Sequence, residues 1–220
     1  MSISDVAAGK MSLRRELLAR RGRQTDADRA QIAATLAAAF AAEFESRIRG
    51  ERPRAASPGE IGDVYRPPGA ANAHDVGTGP VAPLRVVALY LSFATEPGTG
   101  PLIEWLADQR VRVLAPTLLP DADLGWMDVP DGPPLGLDAI TDADVILVPA
   151  LAVDLRGHRL GRGGGSYDRA LSRVRPHQTV LAVVQNDEVF DVVPNESHDR
   201  IVDGALTPSG VRYFGTAPDG

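Results

Sequence analysis

From Leu84 onward the chain alternates short apolar runs rich in β-branched residues with stretches of helical character. This alternation restricts the fold more than any other feature of the sequence. The strand-like runs are Arg85 to Leu91, Val111 to Leu114, Val145 to Val148, Thr179 to Val184 and a last one near Ile201 to Leu206. Between them, Pro101 to Arg110 and Asp168 to Val174 read as helices. Strands alternating with helices predict βαβ units, and hence an α/β fold with a mainly parallel sheet covered by helices on both faces.

Ahead of this region the pattern is helical. Asp5 to Arg21 reads as a first helix with Lys10 and Arg14 on one face, since residues four apart are neighbours on a helix. Leu13, Leu17 and Leu18 are expected to form its apolar stripe on the opposite face. Thr25 with Asp28 three residues on is a helix start signal. Behind it Ile32, Leu36, Phe40, Phe44 and Ile48 recur every fourth residue, as core positions of an amphipathic helix do. Residues 50–83 interrupt the pattern, being rich in Gly, Pro and Ala and without periodicity. They are expected to form a flexible insertion within one domain spanning 1–220.

Composition excludes several function classes. A net charge of -6 and a pI near 5.2 argue against general nucleic-acid binding. No apolar stretch has the length of a membrane span, and the N-terminus lacks the apolar core of a signal peptide. The absence of cysteine removes disulfides and thiolate metal sites and fits the cytoplasm. His74, His158, His177 and His198 lack zinc-ligand spacing.

The chemistry concentrates just after Val145 to Pro149. Gly157 to Arg169 reads Gly-His-Arg-Leu-Gly-Arg-Gly-Gly-Gly-Ser-Tyr-Asp-Arg, and Arg156 precedes it. Strand, glycine-rich loop, then helix is an order that brings backbone N–H groups to phosphate oxygens. The arginines supply donors that stay charged at any relevant pH, and Asp168 could hold a nucleotide's magnesium. Lys10 is the only lysine among 23 basic residues. It is thus the one compact ammonium available for a phosphate.

Gly157 to Asp168 resembles the signature of the 5-formyltetrahydrofolate cyclo-ligase family, also called methenyltetrahydrofolate synthetase, which usually reads G-x-R-L-G-x-G-x-G-Y-Y-D. Ser166 stands where the first tyrosine is expected. Lys10 to Arg14 is similar to the family's N-terminal K-x-x-x-R. Leu89 to Thr99 resembles its L-S-x-x-x-E-x-[DE]-T segment, with Gly98 in place of the second carboxylate. Val193 to Asp199 resembles P-x-E-x-H-D. The family's G-x-x-G-I-x-E-P region is not legible in Leu124 to Leu135.

The resemblance implies a NagB/ribose-5-phosphate isomerase/CoA-transferase-like scaffold with N-terminal helices. It also implies ATP-dependent conversion of 5-formyltetrahydrofolate to 5,10-methenyltetrahydrofolate with release of ADP and phosphate. ATP is then expected on Lys10, Arg14, Arg159, Leu160, Gly161, Arg162, Gly163, Gly164, Gly165, Ser166 and Tyr167, with Arg159 and Lys10 acting in catalysis. The reduced folate is expected on Phe93, Glu96, Arg162, Gly163, Gly164, Gly165 and Ser166, and Mg2+ on Asp168 and Asp199. No nucleic-acid or membrane partner is expected, and a monomer is. Two other readings stay open: a relative that binds folate or nucleotide with little or no turnover, and a different phosphate-handling enzyme such as a kinase or a sugar-phosphate isomerase. The lack of a lysine after the glycines argues against an ordinary P-loop kinase.

Overall fold

The apolar runs divide residue by residue between two cores, which marks strands buried on both sides. Val87, Leu89, Val113, Val145, Leu147, Leu181, Val183 and Leu206 face one core. Ala88, Leu114, Ile146, Val148, Val180, Ala182 and Ala205 face the other. The computed structural model describes residues 3–51, 83–196 and 199–214. The segment expected to be a flexible insertion lies, but for its ends, outside these residues.

Helices α1 (Ile3–Arg21) and α2 (Asp26–Ile48) come first, followed by β1 (Val86–Leu89), α3 (Gly100–Asp108) and β2 (Arg112–Leu118). Then come β3 (Leu124–Asp128), β4 (Pro134–Gly136), β5 (Val145–Pro149), β6 (Ala152–Asp154) and β7 (Arg159–Leu160). The chain continues through α4 (Ser166–Leu171), β8 (Thr179–Val183), β9 (Val189–Phe190), β10 (Gly204–Thr207) and β11 (Gly210–Tyr213). Eight strands form one sheet in the order β11-β10-β8-β5-β1-β2-β3-β4. The five central strands are parallel, and β11, β3 and β4 pair antiparallel at the two margins. A second sheet, β7-β6-β9, stands beside it.

One face of the large sheet is covered by α2 and α3. The stripe on α2 behaves as its period predicts, with Leu36, Phe40 and Phe44 buried and Ile32 and Ile48 packed at the margin. Phe40 stacks on Phe44 with centroids 4.5 Å apart and meets Trp105 of α3 edge-on. The helix starts on a Thr25–Asp28 capping box. The opposite face carries less helix than expected: the short α4, a 3-10 turn at Asp138–Asp142 and the side chains of Trp126 and Phe214 close it. No helix among the described residues is long and apolar enough to cross a membrane.

Two expectations change at the local level. Strand β5 does not lead directly into the glycine loop, because the β6–β7 hairpin of the small sheet intervenes. The apolar stripe of α1 is not opposite its basic residues. Lys10, Arg14, Leu17 and Arg21 follow at intervals of four, three and four residues, which is a single helical face. Lys10, Leu17 and Arg21 on that face are buried. Only Leu17 joins an apolar cluster there, with Leu151, Ala152, Leu160 and Val193. Leu13 and Leu18 pack, partly buried, against the same cluster, so apolar and polar contacts together hold α1 against the body of the protein.

Candidate active site

The carboxyl ends of adjacent parallel strands splay apart and open a crevice, the usual ligand position in such sheets. Here β1 and β5 pair in parallel, and the segments beyond them wall a cavity of about 470 Å³. Glu96 enters from the loop after β1. That loop is tied back when the Tyr90 hydroxyl donates to the Pro97 carbonyl at 2.7 Å and Thr99 Oγ1 donates to the Tyr90 carbonyl at 2.9 Å. Burial raises the Tyr90 phenol well above its ordinary pKa, so it stays a donor. Glu96 accepts from the Phe93 N–H at 2.9 Å and pairs with Arg162 Nε at 3.2 Å.

The glycine loop forms the next wall and wraps around Arg14. Arg14 Nε donates to the Gly161 carbonyl at 2.9 Å. Gly163 has φ +108°, and a Cβ there would meet the Arg14 guanidinium carbon at 3.5 Å. That backbone region disfavours any residue with a side chain. Gly165 caps α4 in the left-handed region, so Ser166, Tyr167 and Asp168 form the first turn of the helix. Arg159 Nη2 donates to Asp168 Oδ1 at 3.0 Å and Nη1 to the Arg200 carbonyl at 2.8 Å, while the Arg200 N–H donates back to Asp168 Oδ1.

The third wall is α1 with the segment after β9. Lys10 Nζ donates to Asp199 Oδ2 at 2.6 Å and Glu196 Oε2 at 2.8 Å. Burial opposes its charge, but the hydrogen bonds to Asp199 and then Glu196 outweigh burial and hold the ammonium above its ordinary pKa. Deeper on the same helix face, Arg21 makes a two-pronged pair with Glu188 (Nε to Oε1, 2.8 Å) and donates to the Ala150 carbonyl at 2.7 Å. Glu188 is fully buried and also accepts from the Gln185 N–H at 2.7 Å.

Of the residues expected from sequence, Lys10, Arg14, Glu96, Arg159, Leu160, Gly161, Arg162, Gly163, Gly164, Gly165, Ser166, Tyr167, Asp168 and Asp199 all line this one cavity. Phe93 does not: it is 74% exposed outside the wall, joined to the site through its backbone, whose N–H donates to the Glu96 carboxylate and whose carbonyl accepts from the Glu96 N–H. Arg21 and Glu188 were not among the expected residues, and Glu196 was marked only as part of the P-x-E-x-H-D segment, with no role. The helical spacing of Arg21 from Arg14 and Lys10 was the available signal for the first. Glu188 carries none, because its role depends on a partner 167 residues away. Among the described residues no group of three or more His, Asp or Glu forms a ready metal cage.

The sequence matches the 5-formyltetrahydrofolate cyclo-ligase family over residues 78–208. The 5-formyltetrahydrofolate cyclo-ligase of Mycolicibacterium smegmatis is 40% identical over 143 residues, which is 56% of this chain and 74% of that one. The chain belongs to the 5-formyltetrahydrofolate cyclo-ligase family. The Escherichia coli cyclo-ligase is 35% identical over 155 residues, covering 60% of this chain and 82% of its own. The fold is shared with the 5,10-methenyltetrahydrofolate synthetase of Mycoplasma pneumoniae, with a TM-score of 0.65 at 16% identity over 90% of this chain and 97% of that one. It is shared also with the Aquifex aeolicus synthetase, at a TM-score of 0.64 and 22% identity over 96% and 94%. Within this cyclo-ligase the departure at Gly98 has a packing reason. A Cβ at Gly98 would lie 2.8 Å from Ala33 Cβ, so α2 occupies the space in which a side chain would begin.

Proposed function

We propose that this protein is an ATP-dependent 5-formyltetrahydrofolate cyclo-ligase whose reaction takes place in the cavity between α1, the glycine loop and the loop after β1. The observation that carries this reading is convergence. Lys10 and Arg14 of α1, Glu96 after β1, Arg159 with the glycine loop, and Asp199 come from distant parts of the sequence and line a single cavity. Family membership supplies the reaction. The γ-phosphoryl group of ATP passes to the formyl oxygen of 5-formyltetrahydrofolate, N10 closes on the activated carbon, and phosphate leaves to give 5,10-methenyltetrahydrofolate and ADP. Phosphoryl transfer asks a protein for positioning and charge neutralisation rather than covalent help. Lys10, Arg14 and Arg159 supply the charge, and the Gly161 to Gly165 backbone sets its geometry.

Magnesium usually takes one or two carboxylates and completes its shell with water and phosphate oxygens. The donor set here fits that sparse demand through Asp168, whose Oδ1 is oriented by Arg159 and the Arg200 N–H. When bound, the ion would neutralise charge on the transferring phosphoryl group. Asp199 would join it only by sharing the carboxylate that now accepts from Lys10 and the Glu196 N–H. The parallel sheet with its crevice at the β1 and β5 ends also supports placing the fold with the NagB/ribose-5-phosphate isomerase/CoA-transferase-like scaffolds. The cysteine-free, acidic composition supports a cytoplasmic enzyme. The test is direct: purified protein with MgATP and 5-formyltetrahydrofolate, followed by the ultraviolet absorbance of the methenyl product. Folded protein that forms none refutes the reading.

A further inference from the structure

Among the described residues, two buried side-chain groups make no hydrogen bond: Trp126 Nε1 and the Tyr167 hydroxyl. Trp126 lies in the apolar core behind the sheet. Tyr167 differs, because it lines the cavity while its ring packs against both cores. A buried hydroxyl left without a partner costs stability, and nearly all such groups in folded proteins are paired. An unpaired donor in a cavity wall is therefore available to a bound partner.

The surroundings say what kind. Burial and the nearby Glu96 carboxylate raise the Tyr167 phenol, so the group is a donor and never a phenolate. Arg159 acts on it in the opposite sense but more weakly. The Glu96 side chain is 13% exposed, against 40% for the Arg162 that pairs with it, so its charge is held inward. A phosphate oxygen beside that carboxylate would be repelled; of the cations that suit phosphate, Lys10 and Arg14 stand on the α1 wall and Arg159 is turned to Asp168 and the Arg200 carbonyl. We propose that the Tyr167 hydroxyl donates its hydrogen bond to a neutral acceptor of the reduced folate, a carbonyl oxygen or a ring nitrogen, and not to the nucleotide. This rests on the folate reading of the cavity and assigns Tyr167 to the substrate side, away from the ATP role that the sequence resemblance implies.

The test is Tyr167→Phe, which removes one oxygen from an otherwise unchanged ring. Three quantities are measured on it and on the parent: ligand-free melting temperature, calorimetric affinity for 5-formyltetrahydrofolate without ATP, and KM for each substrate. The expected result is a melting temperature equal to or above the parent's, because an unpaired buried hydroxyl has gone. With it, folate affinity falls roughly three- to tenfold, in line with one neutral hydrogen bond, while KM for ATP stays within about twofold. A melting temperature lowered by several degrees would show a structural partner and overturn the proposal. Unchanged folate affinity, or a rise confined to KM for ATP, overturns it as well. A parent that binds 5-formyltetrahydrofolate in a Tyr167-dependent way but forms no methenyl product would refute the turnover reading and sustain the donor. A parent that binds no folate overturns both.

Discussion

Glu188→Ala isolates the interaction that fixes α1. The Arg21–Glu188 pair is nearly fully excluded from water, at 1% and 0% side-chain exposure, and both carboxylate oxygens are engaged. Removing the carboxylate leaves a guanidinium buried with one remaining acceptor, the Ala150 carbonyl, and strips the Gln185 N–H of its partner. Breaking one side of such a pair costs about 3–5 kcal/mol. In a chain of this size each kcal/mol moves the melting temperature by roughly 2–4 °C, so a fall of about 6–20 °C is expected by circular dichroism. Arg20 also reaches Glu188, but at 3.3 Å and a third exposed, so it adds little. Because Lys10 and Arg14 ride on the same helix face, KM for ATP should rise in the variant wherever it remains folded. The double replacement Arg21→Leu with Glu188→Leu should recover most of the stability, since an apolar pair of similar volume is often neutral relative to a buried ion pair. A loss below about 1 kcal/mol for Glu188→Ala would refute the reasoning, because it would mean that α1 is docked by something else.

Lys10→Ala should raise KM for ATP far more than KM for folate in steady-state assays, and Lys10→Arg should only partly rescue it, since a planar fork does not replace a compact ammonium. Asp168→Asn keeps an acceptor for Arg159 and the Arg200 N–H but removes the charge. Turnover should fall by about 10–100-fold or more at unchanged melting temperature, and unchanged turnover would remove Asp168 from the site. Gly157→Ala places a Cβ 2.3 Å from the Val202 carbonyl oxygen at φ +86°. It should cost roughly 2–5 kcal/mol in urea unfolding, and a loss under about 1 kcal/mol would show that the β6–β7 turn relaxes freely.

The parallel core was legible because its physics is local. Val145 to Val148 and Val180 to Val184 are apolar at every position, which only a strand covered on both faces sustains. On α2 the four-residue recurrence of large side chains pointed to the buried stripe. Marginal strands left weaker traces: β3 runs from a buried Leu124 and Trp126 to a half-buried Asp128, and Pro134 opens β4. Strands β6 and β7 are three and two residues long and exist through tertiary pairing, so no periodicity announces them. The glycine loop was legible through chemistry, in a run of glycines and arginines too unusual for an ordinary loop, whereas Glu96 and Asp199 were reached only through the family resemblance. What stayed hidden were partners defined only by folding, such as Glu188 beneath Arg21.

The face of α1 explains why a hydrophobicity pattern misreads this helix. A helix normally docks through an apolar stripe, but here Leu13, Leu17 and Leu18 share the docked side with three basic residues, each engaged by a different part of the cavity wall. Lys10 meets Asp199 and Glu196, Arg14 meets the Gly161 carbonyl, and Arg21 meets Glu188 and the Ala150 carbonyl. The polar contacts that help dock the helix and the groups proposed to present positive charge to a ligand are therefore the same side chains. Such an arrangement couples helix docking to the charge offered to a ligand. Weakening α1 docking degrades the phosphate side of the cavity directly, whereas a change in the sheet cores reaches it only through global unfolding. Local opening of a polar-docked helix costs less than opening a packed core. The ATP side should accordingly be the first part of this site to lose function as the protein is destabilised, with the Glu96 and Tyr167 side, built on β1 and the two cores, persisting longer.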